Sequence, residues 1–167
     1  MPATEGRTVY ESGIAAGRAA VAIEPNRPEG HFWIAANMGA MAESFGVRQG
    51  IKYRGAIKEE LETVLRLDPG FQQGSADRAL GRWYFKVPRL FGGSNREAEA
   101  HLRASLAHNP NSTASHFFLA EVLLDAGRTD QGRTELQAVI DAPLDPDWAP
   151  EDREFKEKAS ALLAKPR

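Results

Sequence analysis

The chain of 167 residues contains no cysteine, which excludes disulfide bridges and thiolate metal sites. The redox compartment stays open, because a chain without cysteine suits either side of a membrane. No apolar run approaches the roughly 18 residues that cross a bilayer. The first residues, Met1-Pro2-Ala3-Thr4-Glu5-Gly6, show neither a basic start nor an apolar stretch of the signal-peptide kind. Charge of one sign is also lacking: 21 basic against 23 acidic residues give a net charge of −2, which calls for no nucleic acid and no anionic membrane. β-branched residues are sparse and never alternate over six positions, so no strand competes with helix. The metalloprotease, phosphate-loop and serine-hydrolase signatures are absent, and no paired carboxylates stand in an apolar stretch, so no catalytic residue is assigned.

What is present is a degenerate repeat with proline at its joints. Pro25, Pro69 and Pro110 each follow an apolar helical stretch and a short polar cap, with a weaker mark at Pro143-Leu144. Ala98, Leu102 and Ser105 form a small-large-small set, and Gly132, Leu136 and Val139 repeat it 34 residues later. His116, Leu119, Ala120 and Leu123 fill the packing positions of the helix between. This arithmetic predicts an all-α, tetratricopeptide-like right-handed solenoid of about eight antiparallel helices, a class that binds partners rather than performing chemistry.

The expected helix pairs span about 28–67, 72–108 and 112–141, with flanking helices at about 4–24 and 150–164, all in one domain. Pro28 suits the first turn of the second helix, and Gly46 reads as a left-handed cap at its end. Ala35, Ala36, Gly39, Ala40 and Ala42 make that helix rich in small residues, so that neighbours can approach closely. Ser94 and Glu97 read as a capping box, Ser112 as part of the turn opening the sixth helix, and Thr129 as the cap of the seventh. The helix at 4–24 reads either as the second member of a pair whose first belongs to a longer protein, or as a solvating first helix.

Two stretches resemble a known family. His31-Phe32-Trp33-Ile34-Ala35-Ala36-Asn37-Met38-Gly39 looks like the Trp-x-Ala-Ala-Asn-x-Gly pattern of the TRAP transporter T-component family. Tyr84-Phe85-Lys86-Val87-Pro88 running into Phe91-Gly92-Gly93 is similar to it as well. The resemblance implies a bacterial, exported and often lipid-anchored helical-repeat protein. Such proteins assist TRAP-type uptake of organic acids or hydrophobic ligands through a solute-binding partner. The anchoring cysteine is missing here: either it was removed with an N-terminal segment, through which alone a membrane would be reached, or the protein departs from the family in location and is cytoplasmic rather than exported. A eukaryotic group, the regulators of microtubule dynamics, shares the helical pattern.

Candidate binding residues come from the first helices of the pairs, which line the concave side of such solenoids. Arg78, Arg82 and Lys86 recur every four residues as a basic stripe, with Phe85, Phe117 and Glu121 at further groove positions. The stripe reads as a solvated face or as one wall of a groove that is basic on one side and aromatic on the other. Such a groove suits a protein partner, an extended acidic or amphipathic peptide, or a small hydrophobic or organic-acid ligand. Trp33 and Asn37 join the candidates, Asn37 either as a link between helices or as a group orienting a ligand. Tyr84 and Phe118 are assigned to the core. Of the four histidines, His101 and His108 share a face that the repeat register turns outward. A zinc site needs three or four convergent ligands, so no metal or cofactor is expected. A scaffold predicts an open groove without an apolar cavity. A ligand carrier predicts a deep cavity near Trp33 and Trp83. A homo-oligomer is compatible with either.

Overall fold

Prolines and small polar caps divide the chain where the sequence places its turns. The computed structural model describes residues 3–165; the sequence reading of Met1 and Pro2 lies outside them. Eight helices follow in order: α1 Ala3–Ile23, α2 Pro28–Phe45, α3 Val47–Leu67, α4 Phe71–Lys86, α5 Asn95–His108, α6 Thr113–Asp125, α7 Thr129–Asp141 and α8 Ala149–Leu163. A single 3-10 turn, Arg89–Phe91, joins α4 to α5, and no strand occurs among the described residues. Contacts run chiefly between successive helices, most densely within α1–α2, α2–α3, α4–α5 and α6–α7. This is the nearest-neighbour packing of a helical-repeat fold.

Local signals explain most boundaries. Pro28 opens α2, where its missing N–H leaves no bond unmade. Ser94 Oγ accepts the Glu97 N–H at 3.3 Å and Ser112 Oγ accepts the Ser115 N–H at 3.2 Å, each satisfying an orphan donor of the first turn. Two expectations change. Thr129 is the first helical residue of α7, not its cap, and Arg128 before it makes no side-chain capping bond. Gly46 keeps the positive φ expected of it, 85°, a value that favours glycine, but its ψ of −177° lies outside the left-handed helical region.

The core runs as three linked clusters. Ile34, Met38 and Met41 of α2 meet Leu61 and Val64 of α3 and Leu80 of α4. Ala98 and Leu102 of α5 meet Leu119 and Leu123 of α6. Ala120 of α6 meets Leu136 and Val139 of α7 and Ala159 of α8. Each helix pair also carries one histidine–carboxylate clasp. His31 Nδ1 lies 2.6 Å from Glu60, His101 Nδ1 lies 2.7 Å from Asp77, and His116 Nδ1 lies 2.6 Å from Glu135. His101 therefore turns inward, against the expected outward face, and stacks on Tyr84 with ring centres 5.4 Å apart.

The start of α4 departs from the sequence reading. Gln72, Gln73 and Gly74 have φ of 43°, 60° and 76°, a left-handed turn before the right-handed helix proper. Two consecutive glutamines in this region are strained. Gln73 is held there by its side chain, which accepts from Asn109 Nδ2 and donates to Asp145 Oδ2 at 3.5 Å. At the far end, buried Asp152 of α8 accepts from Thr113 Oγ1 and, at 2.8 Å, from the Asp145 N–H. Lys156 donates to the carbonyls of Ile140 and Ala142, covering the open end of α7.

Candidate binding cavity

Between α2, α3 and α4 lies a cleft-like cavity of about 780 Å³, partly open to solvent. Its α2 wall is made of Ala36, Gly39 and Ala40, its α3 wall includes Ile51 and Ile57, and its α4 wall includes Ala79 and Trp83. The small residues of α2 thus act in two ways. Ala35 is buried in the core, as close packing requires, whereas a β-carbon on Gly39 would meet nothing within 4 Å. Space that larger side chains would fill is left empty and mainly apolar.

Trp83 closes part of the cavity with a fixed ring. Its indole N–H donates to the Arg54 carbonyl at 2.8 Å, its edge meets Tyr84, and it is only 8% exposed. Ala79 and Trp83 stand one turn apart on α4 and so share a face.

The basic stripe lies on the same wall: Arg78, Arg82 and Lys86 all line the cavity. Their electrostatic states differ. Arg82 bonds Glu121, reaches Glu43 at 3.4 Å and lies 4.5 Å over the Phe118 ring. Lys86 sits 4.0 Å from the other oxygen of Glu121 and over Phe85. Arg78 has no hydrogen-bond or ion-pair partner among the described residues, and burial pulls its pKa below the usual guanidinium value. A second, more polar cavity of about 470 Å³ lies between the left-handed turn, the α5–α6 turn and the Pro143–Trp148 segment. Arg78 and Phe118 line both cavities, so the two share a wall.

The remaining sequence candidates lie elsewhere. Trp33 is 48% exposed and edges onto Phe32 without lining either cavity. Asn37 donates to the Trp33 carbonyl at 2.8 Å and packs onto Gly13 of α1. Phe85 packs beside the second core cluster, and Phe117 is buried in the third, against Phe155. Glu121 reaches the site as the counter-ion of Arg82. Phe118, assigned to the core from sequence, is partly buried against two core clusters and also lines the cavities. Neighbouring helix positions point about 100° apart, and α6 is apolar on several faces because α5, α7 and α8 all pack on it. Its sequence therefore did not separate Phe117 from Phe118.

Among the described residues no three His, Asp or Glu side chains converge as metal ligands would, and no helix is long and apolar enough to cross a membrane. Fold and cavity together define an all-α helical-repeat protein with an apolar chamber set between three of its helices. The sequence matches the family described as Regulator of microtubule dynamics protein 1-3 over residues 3–167, and the chain belongs to that family. This match overturns the resemblance to the TRAP transporter T-component family; of the residues that its Trp-x-Ala-Ala-Asn-x-Gly pattern specifies, only Ala35 is buried in α2 here. A comparison with curated proteins finds no match.

Proposed function

We propose that this protein is a non-catalytic binding protein that holds an elongated, mainly apolar small molecule between α2, α3 and α4. The observation that carries the reading is the small-residue wall of α2, which keeps about 780 Å³ open beside a well-packed core. Ligand cavities fall in this size range, and their walls are mainly apolar with a few placed polar groups. A mainly apolar cleft of this kind holds water that an apolar ligand can displace. Glu43, the carboxylate on the cavity wall, faces Arg82, which also bonds Glu121, and this reading assigns no acid–base role there. The helix pairs read as tetratricopeptide-type repeats, supported by the small-large-small sets Ala98-Leu102-Ser105 and Gly132-Leu136-Val139, all six of them buried.

Native mass spectrometry of the purified protein, before and after organic extraction, tests this reading. A co-purifying apolar molecule is expected in the wild type and lost in Gly39→Leu, whose side chain projects into the cavity from the α2 wall. A clean mass in the wild type, with no uptake of added amphiphiles, would contradict it and favour a scaffold for an extended peptide.

A further inference from the structure

The three cations on the α4 wall are not equivalent. Arg82 and Lys86 share Glu121, and Arg82 also reaches Glu43, so their charge is already answered within the protein. Arg78, one turn further into the helix pair, has no such partner among the described residues, although burial penalises its charge. A guanidinium does not escape that penalty by losing its proton. Arg78 is partly buried on the wall of the cavity, and a cation there without an internal partner gains from a counter-ion that arrives from outside. The nearby hydroxyl of Ser75, also on the cavity wall, is committed to the Phe71 carbonyl at 3.0 Å.

We propose that Arg78 is the anion anchor of the cavity and takes the carboxylate of an amphipathic acid. The inference rests on the cavity reading above and names the ligand's chemical class. The planar guanidinium fork matches a carboxylate with two parallel N–H···O bonds. One unpaired cation answers one negative charge, which favours a carboxylate over a doubly charged phosphate. From Arg78 to Lys86 the α4 wall runs about 12 Å along the helix axis. An alkyl chain anchored at Arg78 lies along that wall, between Ala79 and Trp83 on one side and Ala36, Gly39 and Ala40 on the other.

The test compares three probes with one hydrocarbon chain, dodecanoate, dodecanol and dodecyl phosphate, by calorimetric titration of the full chain. The wild type is expected to bind dodecanoate at least tenfold more tightly than dodecanol and no less tightly than dodecyl phosphate. In Arg78→Gln and Arg78→Leu the acid should fall to the affinity of the alcohol, while the alcohol still binds. Arg78→Leu should also melt no lower than wild type, because it breaks no hydrogen bond or ion pair and replaces a partly buried cation with an apolar side chain on a mainly apolar wall. Arg82→Gln should keep the preference for the acid. Equal affinity for acid and alcohol in the wild type would overturn the anchor while leaving the cavity reading intact. So would a preference that survives in Arg78→Gln, or a tenfold preference for the phosphate. Failure of both acid and alcohol to bind would overturn the cavity reading and the anchor with it.

Discussion

Gly81 of α4 lies so close to Leu102 of α5 that a β-carbon on it would sit 2.5 Å from Leu102 Cγ. The carbonyl of Ala98 stands 3.1 Å from the same point, and Leu102 is fully buried, so it has little room to yield. Gly81→Ala should therefore destabilise by about 1–3 kcal/mol through overpacking, despite alanine's higher helix propensity. The shift in the urea midpoint measures it. A neutral or stabilising effect would mean that α4 and α5 do not pack on this seam.

Gly39 is the opposite case. It too lies inside a helix, but a β-carbon there meets nothing within 4 Å. Gly39→Ala should stabilise by about 0.5–1 kcal/mol from helix propensity alone. The melting temperature checks it, and a loss of stability would show that the wall is filled rather than open.

The left-handed turn gives a third expectation. Gln72 has φ 43° and an exposed side chain with no hydrogen-bond partner among the described residues, unlike Gln73. Gln72→Gly should raise stability by about 1 kcal/mol, the cost of a non-glycine residue in this region. Gln73→Gly should gain less, because it also releases Asn109 and Asp145. Equal gains at the two positions would show that those side-chain bonds contribute nothing.

His116 supplies the pH dependence. Its Nδ1 faces Glu135 at 2.6 Å and its Nε2 faces the Pro110 carbonyl at 2.9 Å, two acceptors that together favour the doubly protonated ring. Burial works against the charge, but the bonds to Glu135 and Pro110 outweigh it and raise the pKa above the ordinary histidine value. The clasp's contribution is thus complete below about pH 6.5 and is lost as pH rises through the higher folded-state value. Denaturation of wild type and His116→Gln across pH 5.5–8.5 should show the variant's deficit shrinking as pH rises. A deficit that grows with pH would reverse the assignment.

These residues also show which parts of the molecule were legible in the sequence. Pro28, the Ser94 cap and the Ala98-Leu102-Ser105 set act within one or two turns, so spacing alone revealed them; the expected return bond from Glu97 does not form, because its carboxylate takes Arg96 and the Ser94 N–H donates to the Tyr84 carbonyl. The clasp of Thr113 with Asp152 was hidden because its partners lie 39 residues apart and meet only once α8 folds back on α6. The cavity was hidden for a different reason. Alanine and glycine on α2 look the same in sequence whether a neighbour closes on them, as near Ala35, or leaves them facing space, as at Gly39. The stripe of Arg78, Arg82 and Lys86 was visible as a stripe, but Glu121 and Glu43, which separate the paired cations from the unpaired one, come from other helices.

The most direct test of the central claim uses Trp83, the one tryptophan on the wall of the larger cavity. In a Trp33→Phe, Trp148→Phe variant, titration with dodecanoate should give a saturable, one-to-one change in Trp83 fluorescence, abolished by Gly39→Leu. An unchanged Trp83 signal at every concentration below micelle formation, in a variant that melts like wild type, would contradict the account.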